Sequence, residues 1–164
     1  MAVLSIRLFP DPVLRTKSRA VRPEEPGVPN LIRDLTETLC AQFGGIGIAA
    51  PQVGRPDRVI VVDVSPRDPS KKREIMINPE IRRLEGEVLT REGCMSLPDY
   101  TATVKRAARV LIEWTDERGK HRRRLSTGIE AICLQHEVDH LNGILFIDRV
   151  TSLKTDVFPR RRRK

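Results

Sequence analysis

A chain of 164 residues, 39% hydrophobic and 32% charged, is long enough to bury one core without disulfide or metal staples. That balance excludes wholesale disorder, no run of about 20 apolar residues could span a bilayer, and the first ten residues lack the apolar centre of a signal peptide. Three scattered cysteines, Cys40, Cys94 and Cys133, make no disulfide framework, so a reducing cytoplasm is expected. Residues 149–164 carry +6 of the net charge of +8, which divides the chain into a body of residues 1–148 and a basic tail. The tail reads as a solvated terminus able to hold RNA phosphates without sequence preference.

Residues 1–29 are broken by Pro10, Pro12, Pro23, Pro26 and Pro29 and read as an extended arm. Asn30 is placed to cap a helix running to about Phe43, with Leu31, Leu35 and Leu39 on one stripe and Ile32 beside it, ended by Gly44-Gly45. The stretch Ile46-Gly47-Ile48-Ala49-Ala50-Pro51-Gln52 is too rich in small residues for an ordinary core strand; glycine there marks close approach of another backbone. Residues 58–64 read as a buried strand, 65–72 as a polar loop, 75–78 as a short strand ended by Pro79, and 81–90 as a further strand. After Glu92-Gly93-Cys94-Met95-Ser96-Leu97-Pro98, residues 104–114 and 121–125 form a hairpin across residues 116–119. One helix, several strands and a late helix make an α+β domain.

That late helix opens on Thr127-Gly128-Ile129-Glu130, which has capping-box spacing. Ile129, Ile132, Cys133, His136 and His140 share one of its faces. The run His136-Glu137-Val138-Asp139-His140 reads H-E-x-x-H: two imidazoles one turn apart reach a single metal, and the glutamate lies where a general base acts on water. A third ligand has to come from elsewhere. Phe146 stands where a metzincin would carry histidine, and no glutamate follows Glu137, so Asp148 and Asp156 are the downstream candidates. Upstream, Cys133 lies seven positions from His140, about 10 Å along the axis, too far for a sulfur ligand with a bond of about 2.3 Å. Cys40 reads as packing, and His121 heads the exposed basic run His121-Arg122-Arg123-Arg124. Cys94, in a turn-like setting, is the best upstream candidate.

Three segments in this order, Gly45-Ile46-Gly47-Ile48-Ala49-Ala50-Pro51-Gln52, Glu92-Gly93-Cys94-Met95-Ser96 and Gln135-His136-Glu137-Val138-Asp139-His140, resemble the three motifs of the peptide deformylases. The similarity runs from Asp11-Pro12-Val13-Leu14-Arg15 to about Asp148, and the short spacing of the first two motifs resembles the compact bacterial form. The resemblance implies antiparallel sheets packed around a late central helix that carries H-E-x-x-H. It implies one divalent metal on Cys94, His136 and His140, with water in an open fourth position: Fe(II) first, with zinc, nickel or cobalt able to replace it. It implies a hydrolase of the bacterial cytoplasm that frees formate from N-formylmethionyl nascent peptides, with no membrane or specific DNA partner.

The resemblance also implies residue roles. Glu137 carries the proton from water to the leaving amine, and the Gln52 amide and Met95 backbone N–H stabilise the oxyanion. The peptide lies as an added strand bonded to Ile46 and Gly93, with Gly47 and Gly93 letting it come close. Ile129, Ile132 and Cys133, core positions too, border the methionine pocket. The basic tail is open to docking near the ribosomal exit tunnel, as C-terminal segments of relatives do. One position departs: Thr101 stands where many relatives carry an arginine that helps hold the peptide beyond its first residue. Arg106 matches a basic position, with Asp139 or another acid as its partner.

Overall fold

Proline dominates the N-terminal arm of the computed structural model, which describes residues 2–160; the arm's regular structure is a 3-10 turn at Pro12–Arg15. Helix α1 (Val28–Ala41) starts two residues before the expected Asn30 cap. Gly27 takes a left-handed φ of 91° there, and Pro29 sits in the first turn, where its missing N–H costs nothing. Asn30 instead accepts a hydrogen bond from the Arg33 guanidinium.

The strands follow as β1 (Gly47–Ala49), β2 (Val59–Val62), β3 (Glu74–Glu85), β4 (Val88–Cys94), β5 (Leu97–Arg106), β6 (Arg109–Thr115) and β7 (His121–Thr127). Helix α2 (Gly128–Leu141), the short α3 (Leu153–Asp156) and β8 (Val157–Pro159) complete the described chain. Two antiparallel sheets result, of order β1-β2-β3-β6-β7 and β4-β5-β8. β2 is uninterruptedly apolar because both its faces are covered. Val59 and Val61 pack with Leu31, Leu35 and Leu39 of α1; Ile60 and Val62 pack with Ala131, Leu134 and Val138 of α2. A third cluster joins Leu97, Ala102 and Val104 of the smaller sheet to Leu14, Leu145 and Phe146. α2 is thus buried on most sides, as a central helix. No described helix is long and apolar enough to cross a membrane.

Several expectations need correction. The glycine-rich stretch does form a strand: β1 pairs with β2 and is fully buried. Pro79 does not end β3; Asn78, at φ 52°, and a register shift between Ile77 and Glu80 absorb it. The strand expected over 81–90 breaks at Gly86, φ 67°, where the chain leaves the larger sheet for the smaller. Likewise 104–114 is two strands in different sheets, parted where the Gln135 amide bonds both the N–H and the carbonyl of Ala107 (2.9 and 3.0 Å). The capping box does not form: Thr127 makes no side-chain cap, and the Glu130 carboxylate accepts from Arg124 and Lys71 (3.0 and 3.3 Å). Finally, the segment expected as a tail from residue 149 contributes β8, paired with β5; residues 161–164 of the basic run lie outside the described residues.

Candidate active site

Three elements bring the donors together. α2 carries His136 and His140 one turn apart, their rings edge to face with centroids 5.0 Å apart. Cys94 ends β4, at a register irregularity after Gly93, with only Met95 and Ser96 between it and the start of β5 at Leu97. That turn aims the sulfur at the helix, with Cys94 Sγ 3.3 Å from His140 Nε2. Among the described residues, Cys94, His136 and His140 form the one group whose ligand atoms could share an ion, all within 4.8 Å of one another. Asp148 is tied to Arg15 and to the Leu145 N–H, and Asp156 caps Thr151 and Ser152 through their N–H groups, so neither downstream acid is free for a metal. His121 is exposed on β7, and Cys40 lies exposed beside the Arg73 guanidinium (3.2 Å).

The electrostatics fit a cation at this point. Burial alone would raise the Cys94 thiol, but facing His140 and His136 hold it well below the ordinary thiol range. Gln52 Nε2 and the Ser96 N–H also point at the sulfur (3.5 and 3.4 Å). Burial would lower His136, yet Cys94 and Glu92 raise it well above the imidazole range. A thiolate beside two imidazoles is a donor set for a first-row divalent ion, which would exchange with the imidazole proton. Cys133 is the opposite case: burial, then the nearby Glu137 carboxylate, push its thiol well up, and it donates to the Ile46 carbonyl (3.4 Å). It packs between α2 and β1 and is not a ligand.

Glu137 is buried, and its Oε2 has no hydrogen-bond partner among the described residues. Burial raises its pKa, with His136 and His140 opposing the rise. A buried, unpartnered carboxylate next to an ion site has the environment of a general base. Gln52 is also buried; its Oε1 accepts from the Ala49 N–H (2.9 Å), which turns Nε2 toward Cys94 and Ser96 Oγ (3.3 Å). Met95 lies in the β4–β5 turn and packs its side chain toward the α1 core. Ile129 and Ile132 are half-buried on α2.

Two glycines have different surroundings. A Cβ on Gly47 would stand 2.5 Å from Glu137 Oε1 and 2.7 Å from Cys133 Sγ, so Gly47 makes room for the α2 side chains themselves. A Cβ on Gly93 would meet only ordinary contacts, of 3.5 Å or more. The Ile46 carbonyl is turned inward to the Asp63 N–H (2.8 Å), so strand alternation points the peptide groups of Gly47 and Ala49 at the open edge of β1.

Behind the ligands runs an ion-pair chain that motif matching left without a role. Glu92 Oε2 meets His136 Nδ1 at 2.9 Å, fixing the ring so that Nε2 faces the site. Burial would raise Glu92, but the Arg106 guanidinium and His136 bring it down to about 2. Arg106 holds Glu92 through two bonds (2.7 and 2.9 Å) and Asp139 through a third (2.6 Å), so both acids are its partners. Arg149 closes the chain on Asp139 (2.6 Å). The signal for Glu92 was available: two residues before Cys94 on one strand, it must share its face.

A buried carboxylate without a partner, set against a thiolate and two imidazoles, defines the class: a metal-dependent hydrolase. Comparison with known proteins gives the particular family. The family model described as polypeptide deformylase matches residues 3–156, and the chain belongs to the peptide deformylase family. A peptide deformylase of Thermodesulfovibrio yellowstonii is 45% identical over 158 residues, covering 96% of this chain and 95% of that protein. One from Rhizobium meliloti is 41% identical, covering 98% and 92%. Among solved structures, a Synechococcus elongatus peptide deformylase in complex with actinonin matches with TM-score 0.85 and 37% identity, over 92% of this chain and 82% of that one. A Met-Ala-Ser-bound class I type b enzyme of Acinetobacter baumannii matches with TM-score 0.83 and 34% identity, over 91% and 99%.

Proposed function

We propose that the chain hydrolyses the formyl amide of N-formylmethionyl peptides, releasing formate and a free amino terminus. The observation that carries this is the unpartnered Glu137 carboxylate beside Cys94, His136 and His140. When bound, a divalent cation supplies Lewis acidity, which acidifies water and polarises the formyl oxygen. Glu137 takes a proton from the attacking water and passes it to the departing amine. Gln52 Nε2, held by the Ala49 N–H, and the Met95 backbone N–H donate to the oxygen that becomes negative. Glu92, itself held by Arg106, keeps His136 oriented while charge builds up.

β1 and β4 are the end strands of their sheets, and both border the site. An extended peptide between them would be bonded by main chain on both sides, to Gly47 and to Gly93, with the Ile46 carbonyl already engaged. The methionine side chain would lie against half-buried Ile129 and Ile132, with Cys133 as the pocket floor. The resident ion is Fe(II), with zinc, nickel or cobalt as working substitutes. The enzyme acts on nascent chains in a bacterial cytoplasm, and the basic C-terminal run supplies phosphate contacts near the ribosomal exit tunnel. Loss of salt-dependent ribosome co-sedimentation on deletion of residues 161–164 tests that last role.

The deciding experiment loads the protein with Fe(II) without air and measures formate released from formyl-Met-Ala-Ser. Turnover is expected, falling about 10²- to 10⁴-fold in Glu137→Gln with the ion retained. No turnover in the loaded wild type, or equal turnover in Glu137→Gln, overturns the reading.

A further inference from the structure

On β4, Glu92 and Cys94 turn inward while Arg91 and Gly93 face solvent on the outer side of the smaller sheet. A row crosses that outer face: Gly93 pairs with Thr101, and Thr101 with Phe158 of β8. Arg160 follows two residues after Phe158 and so shares its face, opposite Asp99, whose carbonyl accepts the Arg160 N–H (2.7 Å). Its side chain crosses β5 at small Thr101 and reaches Gly93, where a Cβ would stand 3.6 Å from Arg160 Nη1. Arg91 is fixed on the same face. Its Nε donates to Thr101 Oγ1 (3.0 Å), and its guanidinium lies 3.7 Å from the centre of the Phe158 ring. Two guanidinium groups from different strands therefore flank one side-chain-free position on an open strand edge beside the metal site.

We propose that Arg160, together with Arg91, forms a cationic subsite that selects substrates carrying an acidic residue soon after the formylmethionine. A residue placed cross-strand from Gly93 puts its side chain on the same face as Gly93. There it enters the gap left by the missing side chain, within reach of both guanidiniums. The row works because Gly93 and Thr101 are small; a longer side chain at either would bar Arg160 from the edge. Asp99, across from Arg160 on this face, supports its backbone from β5. The proposal rests on β4 as the edge on which the peptide lies.

The test uses the metal-loaded full chain and amidated substrates, so that no terminal carboxylate mimics an acid: formyl-Met-amide, formyl-Met-Ala-Ser-amide, and versions with Glu or Lys in place of Ala or of Ser. Wild type is expected to favour Glu over Lys by about three- to tenfold in KM at low salt, with kcat unchanged and the preference shrinking as salt is added. Arg160→Ala removes most of that preference and leaves formyl-Met-amide turnover intact; Arg160→Lys keeps part of it. In Arg160→Ala/Thr101→Arg the preference returns, because a guanidinium again reaches Gly93 from one strand nearer. An unchanged preference in Arg160→Ala overturns the proposal, as does an equal loss on formyl-Met-amide, which would mean a loosened β8. If wild type gains nothing in kcat/KM from formyl-Met-amide to formyl-Met-Ala-Ser-amide, the strand reading itself fails. If that gain is present and Arg160→Ala keeps the acid preference, only the subsite fails.

Discussion

Replacing Arg106 with leucine should cost the protein both stability and metal affinity, and the two losses have separate origins. The Arg106 side chain is 3% exposed, between Glu92 at 6% and Asp139 at 8%. Asp139 keeps Arg149 at 2.6 Å, whereas Glu92 keeps only the His136 contact at 2.9 Å among the described residues. Breaking a buried pair in this way costs about 3–5 kcal/mol, and the surviving Arg149 contact puts the expectation near about 3. For a chain of this length that is a fall of about 6–12 °C in Tm, read on the metal-free protein. Separately, a Glu92 without its guanidinium orients His136 poorly, so metal affinity falls about 10- to 100-fold, read by competition with a chromogenic chelator. Arg106→Leu/Glu92→Gln should recover much of the stability, because a neutral amide replaces the stranded carboxylate, with a coupling of about 1–3 kcal/mol. A loss below about 1 kcal/mol with unchanged metal affinity would refute the claim that Arg106 acts through Glu92.

Three further outcomes follow from geometry. Gly47→Ala sets a methyl 2.5 Å from Glu137 Oε1, so kcat should fall about 100-fold with the ion still bound; activity within twofold of wild type would mean that Glu137 tolerates displacement. Gly143→Ala forces a Cβ at φ 72° to within 2.5 Å of the Arg15 carbonyl, so chemical denaturation should show a loss of about 1–3 kcal/mol, with turnover of the folded fraction unchanged. Glu92 sits at about 2 in the folded chain against 4.5 when free. Its contribution, about 3 kcal/mol, is complete above pH 4.5 and is lost as pH falls toward 2. Denaturation midpoints across that window should therefore drop more steeply in wild type than in Glu92→Gln.

The metal helix was legible because its signal is local: His136, Glu137 and His140 meet by helical period alone. Helix geometry removed only Cys133, and it was the resemblance to the deformylase motifs that singled out Cys94 over Asp148 and Asp156. The smaller sheet was not legible. Gly86 and Ala107 are the points where the chain changes sheets, and neither lies in a distinctive turn sequence. What holds the second crossing is Gln135, 28 residues further on. Pro79 read as a stop because the signal that it sits at a bulge is the positive φ of Asn78, sustained by hydrogen bonds to Val21, 57 positions away. The capping box failed for a similar reason: Glu130 is claimed by Arg124 and by Lys71, a partner 59 residues away in sequence. Arg106 had two acids in reach, and alternation along β4 would have identified Glu92 as one of them.

The bond from the Ala49 N–H to Gln52 Oε1 also bears on solubility and on turnover. An open strand edge invites any other extended chain, and a protein whose sheets end in such edges risks sticking to its neighbours. Gln52 occupies one of the outward groups on an edge only three residues long, so β1 offers little beyond Gly47 to a strand that arrives without a formyl group to hold. On the proposed reading, an enzyme that processes nascent peptides gains from so short a grip. With the peptide paired to β1 as proposed, so short an edge would align one amide and let the product go once that amide is cut.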